Sequence, residues 1–473
     1  MTDMIPGLHL SVPELVVVLG SIVLVLARWL PPNIRRRTAV GAAVLVAAGV
    51  AATALDLRWQ LLLVLAGDLL VGAAVGAAWL LRRRIGRVRW WLALPGSLTC
   101  LGLVAAGTVA AWAVPVPAFP VPSGPFAVGT TVLQWTDPDR AETATPDAGD
   151  HRTVVVQLWY PARSVAASTP RAQYLGRTRR EADIVAAAEA DYLGVPSVLL
   201  DGLPRARSHA VPGAAPADGR FPVVLFSPGL GGVRTQNTAW AEDLASRGYL
   251  VAGVDHPYDS AAVVLADGRT VRTKVTGSDD PAEGDRLRIG WTTVRAADLS
   301  FALTQLGRLD RGELTGEFTG RIDTARAAAT GHSLGGAAAM RVAQQDPRFT
   351  AVIDLDGGLN VDQRPLHQPV LAVTHALQGR ADADYLARLS TVLGQGTATS
   401  YRLSVPGSTH LTFTDAPLFL PPVPSVAGSL SRTDSVQVTV VTCAAFLDAT
   451  LRGRPVDLPA TLSRHGELRT YPS

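Results

Sequence analysis

The sequence predicts an α/β fold, a mostly parallel sheet with helices on both faces, preceded by a region of four membrane-spanning helices. Three observations carry that prediction. Residues 1–115 form four long apolar stretches punctuated by arginine clusters. Beyond them, short β-branched runs alternate with helix-like segments, the pattern of a parallel sheet covered on both sides. Finally, Gly331-His332-Ser333-Leu334-Gly335-Gly336 stands where one apolar run, Ala327 to Thr330, meets a small-residue helical run, Ala337 to Ala343.

The apolar stretches run approximately Val12 to Ala27, Thr38 to Leu55, Gln60 to Leu81 and Leu92 to Val114. Most approach the roughly 20 residues a helix needs to cross a bilayer. The first is the shortest, but no basic segment precedes it and three more stretches follow, so it reads as a span rather than a signal peptide. Residues 1–115 hold ten Arg against four acids, a surplus of six; with a whole-chain charge of +3, the rest carries −3. The basic balance therefore belongs to the N-terminal region and gives no support to nucleic-acid binding elsewhere. Arginines cluster after the first stretch (Arg35 to Arg37) and after the third (Arg82 to Arg89), which places those loops in the cytoplasm and everything after Val114 outside. Trp29, Trp59, Trp79, Trp90 and Trp91 sit near the stretch ends, as interfacial anchors do. The expected location is the cell membrane, multi-pass, with the following domain extracytoplasmic. Asp68, inside the third stretch, is either a relay or binding residue or a protonated or hydrogen-bonded group between helices. Only Cys443 of the two cysteines would lie outside, which excludes an internal disulfide there, and neither Cys100 nor Cys443 has metal-ligand spacing. No metal or cofactor is expected.

Pro115, Pro117, Pro120, Pro122 and Pro125 make a connector over 116–126, extended and semi-rigid. The domain then spans 127–455, with 456–473 read as a polar tail. Strands are expected at Val154 to Tyr160, Val223 to Ser227, Tyr249 to Asp255, Ala327 to Gly331, Ala351 to Asp356, Pro369 to His375 and Tyr401 to Val405. Helices are expected near Asn237 to Arg247, Thr292 to Leu309, Leu334 to Gln345, Ala381 to Leu393 and Ser435 to Leu451. Pro161 to Arg220 and Asp267 to Arg288 are polar and rich in Ala, Arg, Pro and Gly, and read as surface excursions or a lid over a pocket.

A serine on a tight strand-to-helix turn is lifted clear of the sheet, and flanking glycines let the helix pack close. Ser333 is thus the candidate nucleophile. It needs a base, a group to orient that base, and two oxyanion donors, with the order Ser, acid, His in such architectures. His410 follows a strand on the Pro406-Gly407-Ser408-Thr409 turn, at a carboxyl end where open α/β sheets bind ligands. It is the preferred base, with His375 second; His367 reads as surface loop and His465 as tail. Asp354 and Asp356 both end the strand after the nucleophile helix, and strand periodicity cannot separate them. Phe226-Ser227-Pro228-Gly229-Leu230-Gly231-Gly232 ends an earlier strand with glycines that allow close backbone approach. Its Leu230 amide and the Leu334 amide are the candidate oxyanion donors. No GK[ST] follows that loop, so a nucleotide reading is weak.

These residues sit in longer motifs. Val224 to Gly231 (VLFSPGLG), Asp243 to Tyr249 (DLASRGY), Val254-Asp255-His256, the GHSLGG turn, Ile353 to Asp356 (IDLD) and Gly407 to Asp415 (GSTHLTFTD) together resemble the secreted-type platelet-activating-factor acetylhydrolases over roughly residues 127 to 455. The resemblance implies an α/β-hydrolase with nucleophile Ser333, acid Asp356, base His410 and oxyanion amides at Leu230 and Leu334. It favours Asp356 over Asp354. Two features depart from the family: Pro228 stands where those enzymes commonly carry His, and the four-span region is foreign to the secreted members. The implied activity is hydrolysis of short or truncated acyl esters, phospholipids among them, beside a lipid bilayer. The alternatives are a broad-specificity lipase or cutinase-like polyester hydrolase and, in a different class, a non-catalytic envelope protein whose function lies in the spans and Asp68.

Overall fold

A computed structural model describes residues 4–5, 9–54, 56–82, 93–278, 280–358, 364–376 and 379–472. Arg83, Arg84, Arg87, Arg89, Trp90 and Trp91 lie outside the described residues. The chain divides into two compact units, Met1–Pro117 and Ala118–Ser473.

In the first unit a short antiparallel pair, β1 (Met4–Ile5) and β2 (Leu10–Ser11), leads into α1 (Val12–Leu26), α2 (Pro32–Thr53), α3 (Trp59–Arg82) and α4 (Ala93–Ala113). Ser11 caps α1 in a reciprocal box with Glu14. Arg58 reaches Glu14 at 3.4 Å and the carbonyls of His9 and Val114 at 3.0 and 3.3 Å, so it answers acceptors that a helix end leaves open. The helices meet at small residues: a Cβ on Gly49 would lie 2.7 Å from a Val17 methyl, the close approach that drives packing where solvent does not. Asp68 accepts a 2.7 Å hydrogen bond from Ser21 Oγ, linking α3 to α1. Large apolar side chains such as Val44, Leu69 and Val75 are exposed on the outer faces, an inversion that suits lipid rather than water.

The second unit contains, in chain order, β3 (Ala127–Ala141), β4 (His151–Ala162), α5 (Arg179–Leu193), β5 (Val211–Pro212), β6 (Phe221–Ser227), α6 (Thr238–Ser246), β7 (Leu250–Asp255), β8 (Ala262–Val264), β9 (Thr270–Arg272) and α7 (Pro281–Asp310). It continues through β10 (Ile322–His332), α8 (Leu334–Gln345), β11 (Phe349–Leu355), β12 (Val370–His375), α9 (Arg380–Gly394), β13 (Ser400–Val405), α10 (Pro424–Ala427), α11 (Arg432–Arg452), α12 (Leu458–Leu462) and β14 (Glu467–Tyr471). Among the described residues ten strands form one sheet in the order β14-β13-β12-β11-β10-β6-β7-β4-β3-β5. The central strands β7, β6, β10, β11, β12 and β13 are parallel; β4 runs antiparallel to β3 and β7, and β14 to β13. Every residue of β6 and β7 is buried, which is why these strands read as continuous apolar runs rather than alternating ones. The expected mostly parallel α/β fold is thus present, with β10 and β6 at its centre.

Five described helical segments are long and apolar enough to cross a membrane: the four of the first unit and Pro424–Arg452. The last is largely buried and packs on α6 and β11, so its apolar character serves the domain core.

Several elements fall where the sequence suggested none. The excursion Pro161 to Arg220 contains α5, started by Thr178, which accepts from the Glu181 amide, and ended by Gly194 in the left-handed region. Helix α7 begins eleven residues before Thr292 because Asp280 caps it and Pro281 occupies its first turn; in the excursion Asp267 to Arg288, β9 pairs as a hairpin with β8, which lies just before it. The segment read as a tail supplies β14, a charged strand on the sheet edge, where charge opposes further pairing.

Candidate active site

Ser333 is the hinge between β10 and α8. Its backbone sits at φ 55°, ψ −122°, a region disfavoured for any residue with a Cβ. Neighbours hold it there: Ser333 N–H donates to Leu355 O at 3.0 Å, and Ser333 O accepts from Gly336 and Gly358 at 3.0 and 3.3 Å. The flanking glycines are required by space, since a Cβ on Gly335 would stand 1.9 Å from Ser227 O and one on Gly331 would stand 2.2 Å from Gly335.

The two aspartates part company at the end of β11. Asp356 has left the strand with φ 53°, and its carboxylate accepts from His410 Nδ1 at 2.6 Å and from His375 Nδ1 at 2.8 Å. Burial alone would raise its pKa, but the hydrogen bonds from His375 and His410 and their charges hold it well below the usual carboxylate range. Asp354 stays in the sheet, wholly buried, with both carboxylate oxygens unpartnered by any side chain. Burial first, then the Asp356 charge, pushes it up to about 8. His410 lies in the wall of a cavity with Ser333, whereas His375 does not; His375 instead also faces Asp382 at 3.5 Å, and its pKa is raised mainly by the Asp356 bond. His367 bonds Thr397, and His465 precedes β14; neither lines the cavity.

The cavity has a volume of ≈ 230 Å³. Its floor carries Ser333, His332, His410 and the loop Gly229 to Val233. Among the described residues the Leu230 and Leu334 N–H groups find no acceptor. Helix α5 and its flanks supply Tyr174, Leu175, Glu189, Tyr192 and Leu193, and the loop after His410 supplies Phe419 and Leu420. The excursion therefore forms a wall of the pocket, which answers the choice between surface loop and lid. It is tied down by Arg234, which pairs with Glu181 of α5 at 3.0 Å and also with Asp255.

Residues 114–453 match the family model for platelet-activating factor acetylhydrolase, isoform II. The chain belongs to that family. This acetylhydrolase-family chain is 29% identical over 210 residues to a probable 1-alkyl-2-acetylglycerophosphocholine esterase of Arthroderma benhamiae, covering 42% of this chain and 50% of that protein. It is 28% identical over 227 residues to a platelet-activating factor acetylhydrolase of Gallus gallus, covering 41% and 53%. The matched stretch thus spans about half the length of these curated relatives. Among solved structures, a ferulic acid esterase from Streptomyces cinnamoneus superposes with a TM-score of 0.60 at 32% identity, covering 75% of this chain and 99% of the other. The fold is that of the α/β-hydrolases.

Other residues around the family site were not singled out by sequence reasoning. His332, buried behind Ser333, donates from Nε2 to His410 O at 2.8 Å and so pins the backbone of the histidine loop. Burial, then the neighbouring His410, pushes it down to about 3, so it stays neutral. Asp415 accepts from the Thr238 and Ala239 amides at the start of α6, at 2.7 and 3.2 Å, and Asn237 Nδ2 donates to Phe413 O at 2.7 Å. The loop that carries His410 is thereby stitched to the segment following Leu230. A triplet, Ser227, His256 and Asp298, has contacts of 2.9 and 2.8 Å but is fully buried, out of reach of any substrate. The only available signal for His256 and Asp415 was their place in the family motifs.

Proposed function

We propose that this chain is a serine ester hydrolase in which Ser333 is the nucleophile, His410 the general base and Asp356 the group that orients it. The observation that carries the reading is the 2.6 Å contact of Asp356 with His410 Nδ1, in a cavity whose wall His410 shares with Ser333. With Nδ1–H given to Asp356, Nε2 is left to take the Ser333 proton as Oγ attacks the ester carbonyl. The oxyanion of the tetrahedral intermediate is met by the Leu230 and Leu334 amides, backed by the N-terminus of α8. Collapse expels the alcohol, which takes its proton from His410. Water, deprotonated by the same histidine, opens the acyl-enzyme to the carboxylic acid and restores Ser333.

The substrate reading is a short or truncated acyl ester, supported by family membership and a small cavity walled by α5. The four apolar helices support anchoring of the hydrolase unit at a membrane surface, where a phospholipid ester is at hand. A specific observation favours a second reading, an ester bearing a hydroxylated aromatic group. Glu189 lines the cavity among Tyr174, Tyr192 and Phe419 and has no hydrogen-bond partner among the described residues. Burial, then the Asp255 charge, pushes it up to about 8, so at neutral pH it is a hydrogen-bond donor waiting for an acceptor.

Labelling of the wild-type chain and Ser333→Ala by a fluorophosphonate probe tests the chemistry; labelling that survives the substitution overturns it. Turnover of p-nitrophenyl acetate, butyrate and palmitate, a short sn-2 acyl phospholipid and methyl esters of cinnamic and hydroxycinnamic acids then ranks the substrates. A preference for the hydroxylated cinnamate that disappears in Glu189→Leu supports the second reading, and palmitate as the best substrate replaces both with the lipase alternative.

A further inference from the structure

The oxyanion loop is held from behind by a buried arginine. Arg295, on α7, is fully buried and does not line the cavity. Its guanidinium forks onto Asp259, with Nε and Nη2 at 2.7 and 2.6 Å from the two carboxylate oxygens. The remaining donors turn to the loop: Nη1 bonds Pro228 O, and Nη2 bonds Gly229 O at 3.1 Å. Gly229 O also accepts from Gly232 N–H at 2.9 Å, and Gly229 N–H is taken by Gln236 Oε1 at 2.8 Å.

One peptide unit contains both the Gly229 carbonyl and the Leu230 amide, and in a trans peptide the C=O and N–H point in opposite directions. No cis peptide is present among the described residues. Fastening Gly229 O to Arg295 on the buried side therefore turns the Leu230 N–H to the other side. Leu230 lines the cavity there with Ser333, and its N–H has no acceptor. Glycine at 229 makes the neighbouring torsions soft, so without the clamp only the Gly232 N–H bond at 2.9 Å opposes rotation of this peptide to present its carbonyl instead.

The surroundings keep Arg295 aimed. His256 Nδ1–H donates to Asp298 at 2.8 Å, leaving Nε2 to accept from Ser227 Oγ at 2.9 Å; Ser227 Oγ in turn receives Arg295 Nη1 at 3.4 Å. Burial, foremost, pushes the His256 pKa down, so it stays neutral beside the guanidinium. Burial alone would raise Asp298, but Arg152, at 2.7 Å, holds it ionised. The chain Asp298, His256, Ser227 thus serves as a scaffold with one proton arrangement.

We infer that Arg295 is a positioning residue for the oxyanion hole, setting the direction of the Leu230 N–H through the Gly229 carbonyl. The inference rests on the ester-hydrolase reading above. The test uses the full chain in detergent, with Arg295→Lys, Arg295→Met and the double variant Arg295→Met/Asp259→Asn, which leaves no stranded buried carboxylate. For each, kcat and KM on p-nitrophenyl acetate and the inhibition constant of a trifluoromethyl ketone, whose adduct places an oxyanion in the hole, are measured beside thermal unfolding. The Met variants should lose kcat by about 10²-fold, the range for loss of one oxyanion donor. KM should hold, and inhibitor affinity should fall in proportion to kcat/KM. Arg295→Lys, able to reach one carbonyl, should fall between. A folded Met variant with unchanged kcat, or with a loss that the ketone does not mirror, overturns the inference. Should neither Met variant fold, Arg295→Lys decides it: unchanged kcat and ketone affinity refute the clamp. Ser333→Ala, run in parallel, separates the levels. Turnover without Ser333 sinks the hydrolase reading itself, whereas an inert Ser333→Ala beside fully active Arg295 variants sinks only the clamp.

Discussion

A single turn separates two aspartates that strand periodicity cannot. Alternation puts Asp354 and Asp356 on the same face, and a reader of the sequence has only the following glycines or the family motif to choose by. In the structure β11 ends at Leu355, and the positive φ of Asp356 swings its carboxylate to His375 and His410, while Asp354 stays packed under Gly336 and Gly357. Asp356→Asn is therefore expected to lower kcat/KM by up to about 10⁴-fold, since only a carboxylate fixes the histidine tautomer, while Asp354→Asn stays close to wild type; a reversed order in the same esterase assay moves the role to Asp354. The two histidines are tested alike: His410→Ala should be nearly inactive and His375→Ala should retain most turnover. Asp354 also predicts a pH effect. Its folded pKa of about 8 lies above that of an unfolded aspartate. Between those values the unfolded chain has lost a proton that the native one keeps, so stability falls as pH rises. Asp354→Asn removes the term, and its melting temperature should exceed that of the wild type at pH 8 but not at pH 4. Equal pH slopes for the two proteins would contradict this.

At the level of elements, the central strands and the GHSLGG turn were legible because the strands are buried on both sides and leave apolar runs, one of which leads into that turn. The edges were not. In β3 the exposure pattern is irregular, β14 is polar, and α5 and the start of α7 are rich in arginine and carboxylates, so hydrophobic pattern fails where the cap signals Thr178 with Glu181 and Asp280 with Pro281 would have served. Glycine shows the same split between position and composition. Gly335 and Gly290 both lie in helices, but a methyl on Gly335 meets Ser227 O whereas one on Gly290 meets nothing within 4 Å. Gly335→Ala should cost on the order of 3 kcal/mol, as overpacking against backbone does, and Gly290→Ala, at an exposed position of α7, should stabilise by about 0.5–1 kcal/mol. Chemical denaturation of the two variants checks both signs.

For the molecule as a whole, each unit has its own apolar core: Leu10 to Ala111 supply one, Val154 to Leu393 the other. Since neither cluster borrows residues from the other unit, the hydrolase unit should fold without the helices. A fragment from Ala118 to Ser473 is expected to be soluble, to unfold cooperatively and to hydrolyse p-nitrophenyl acetate with the kcat/KM of the full chain, because Ser333, Asp356, His410 and the Leu230 loop all lie within it. The helices should matter only for substrate that is itself in a bilayer. There a proline-rich connector is expected to keep the site near the lipid and so to raise the effective concentration of any ester exposed at its surface. The full chain reconstituted in vesicles should therefore cleave a short sn-2 acyl phospholipid in the same membrane faster than an equal amount of fragment added outside, while the two remain equal on the soluble ester. The arginine distribution predicts an outward-facing hydrolase unit, so protease added to intact spheroplasts should release it. A fragment that is unfolded, or inactive on the soluble ester, would mean that the helices complete the hydrolase; equal rates on the membrane ester would mean that anchoring contributes nothing to catalysis.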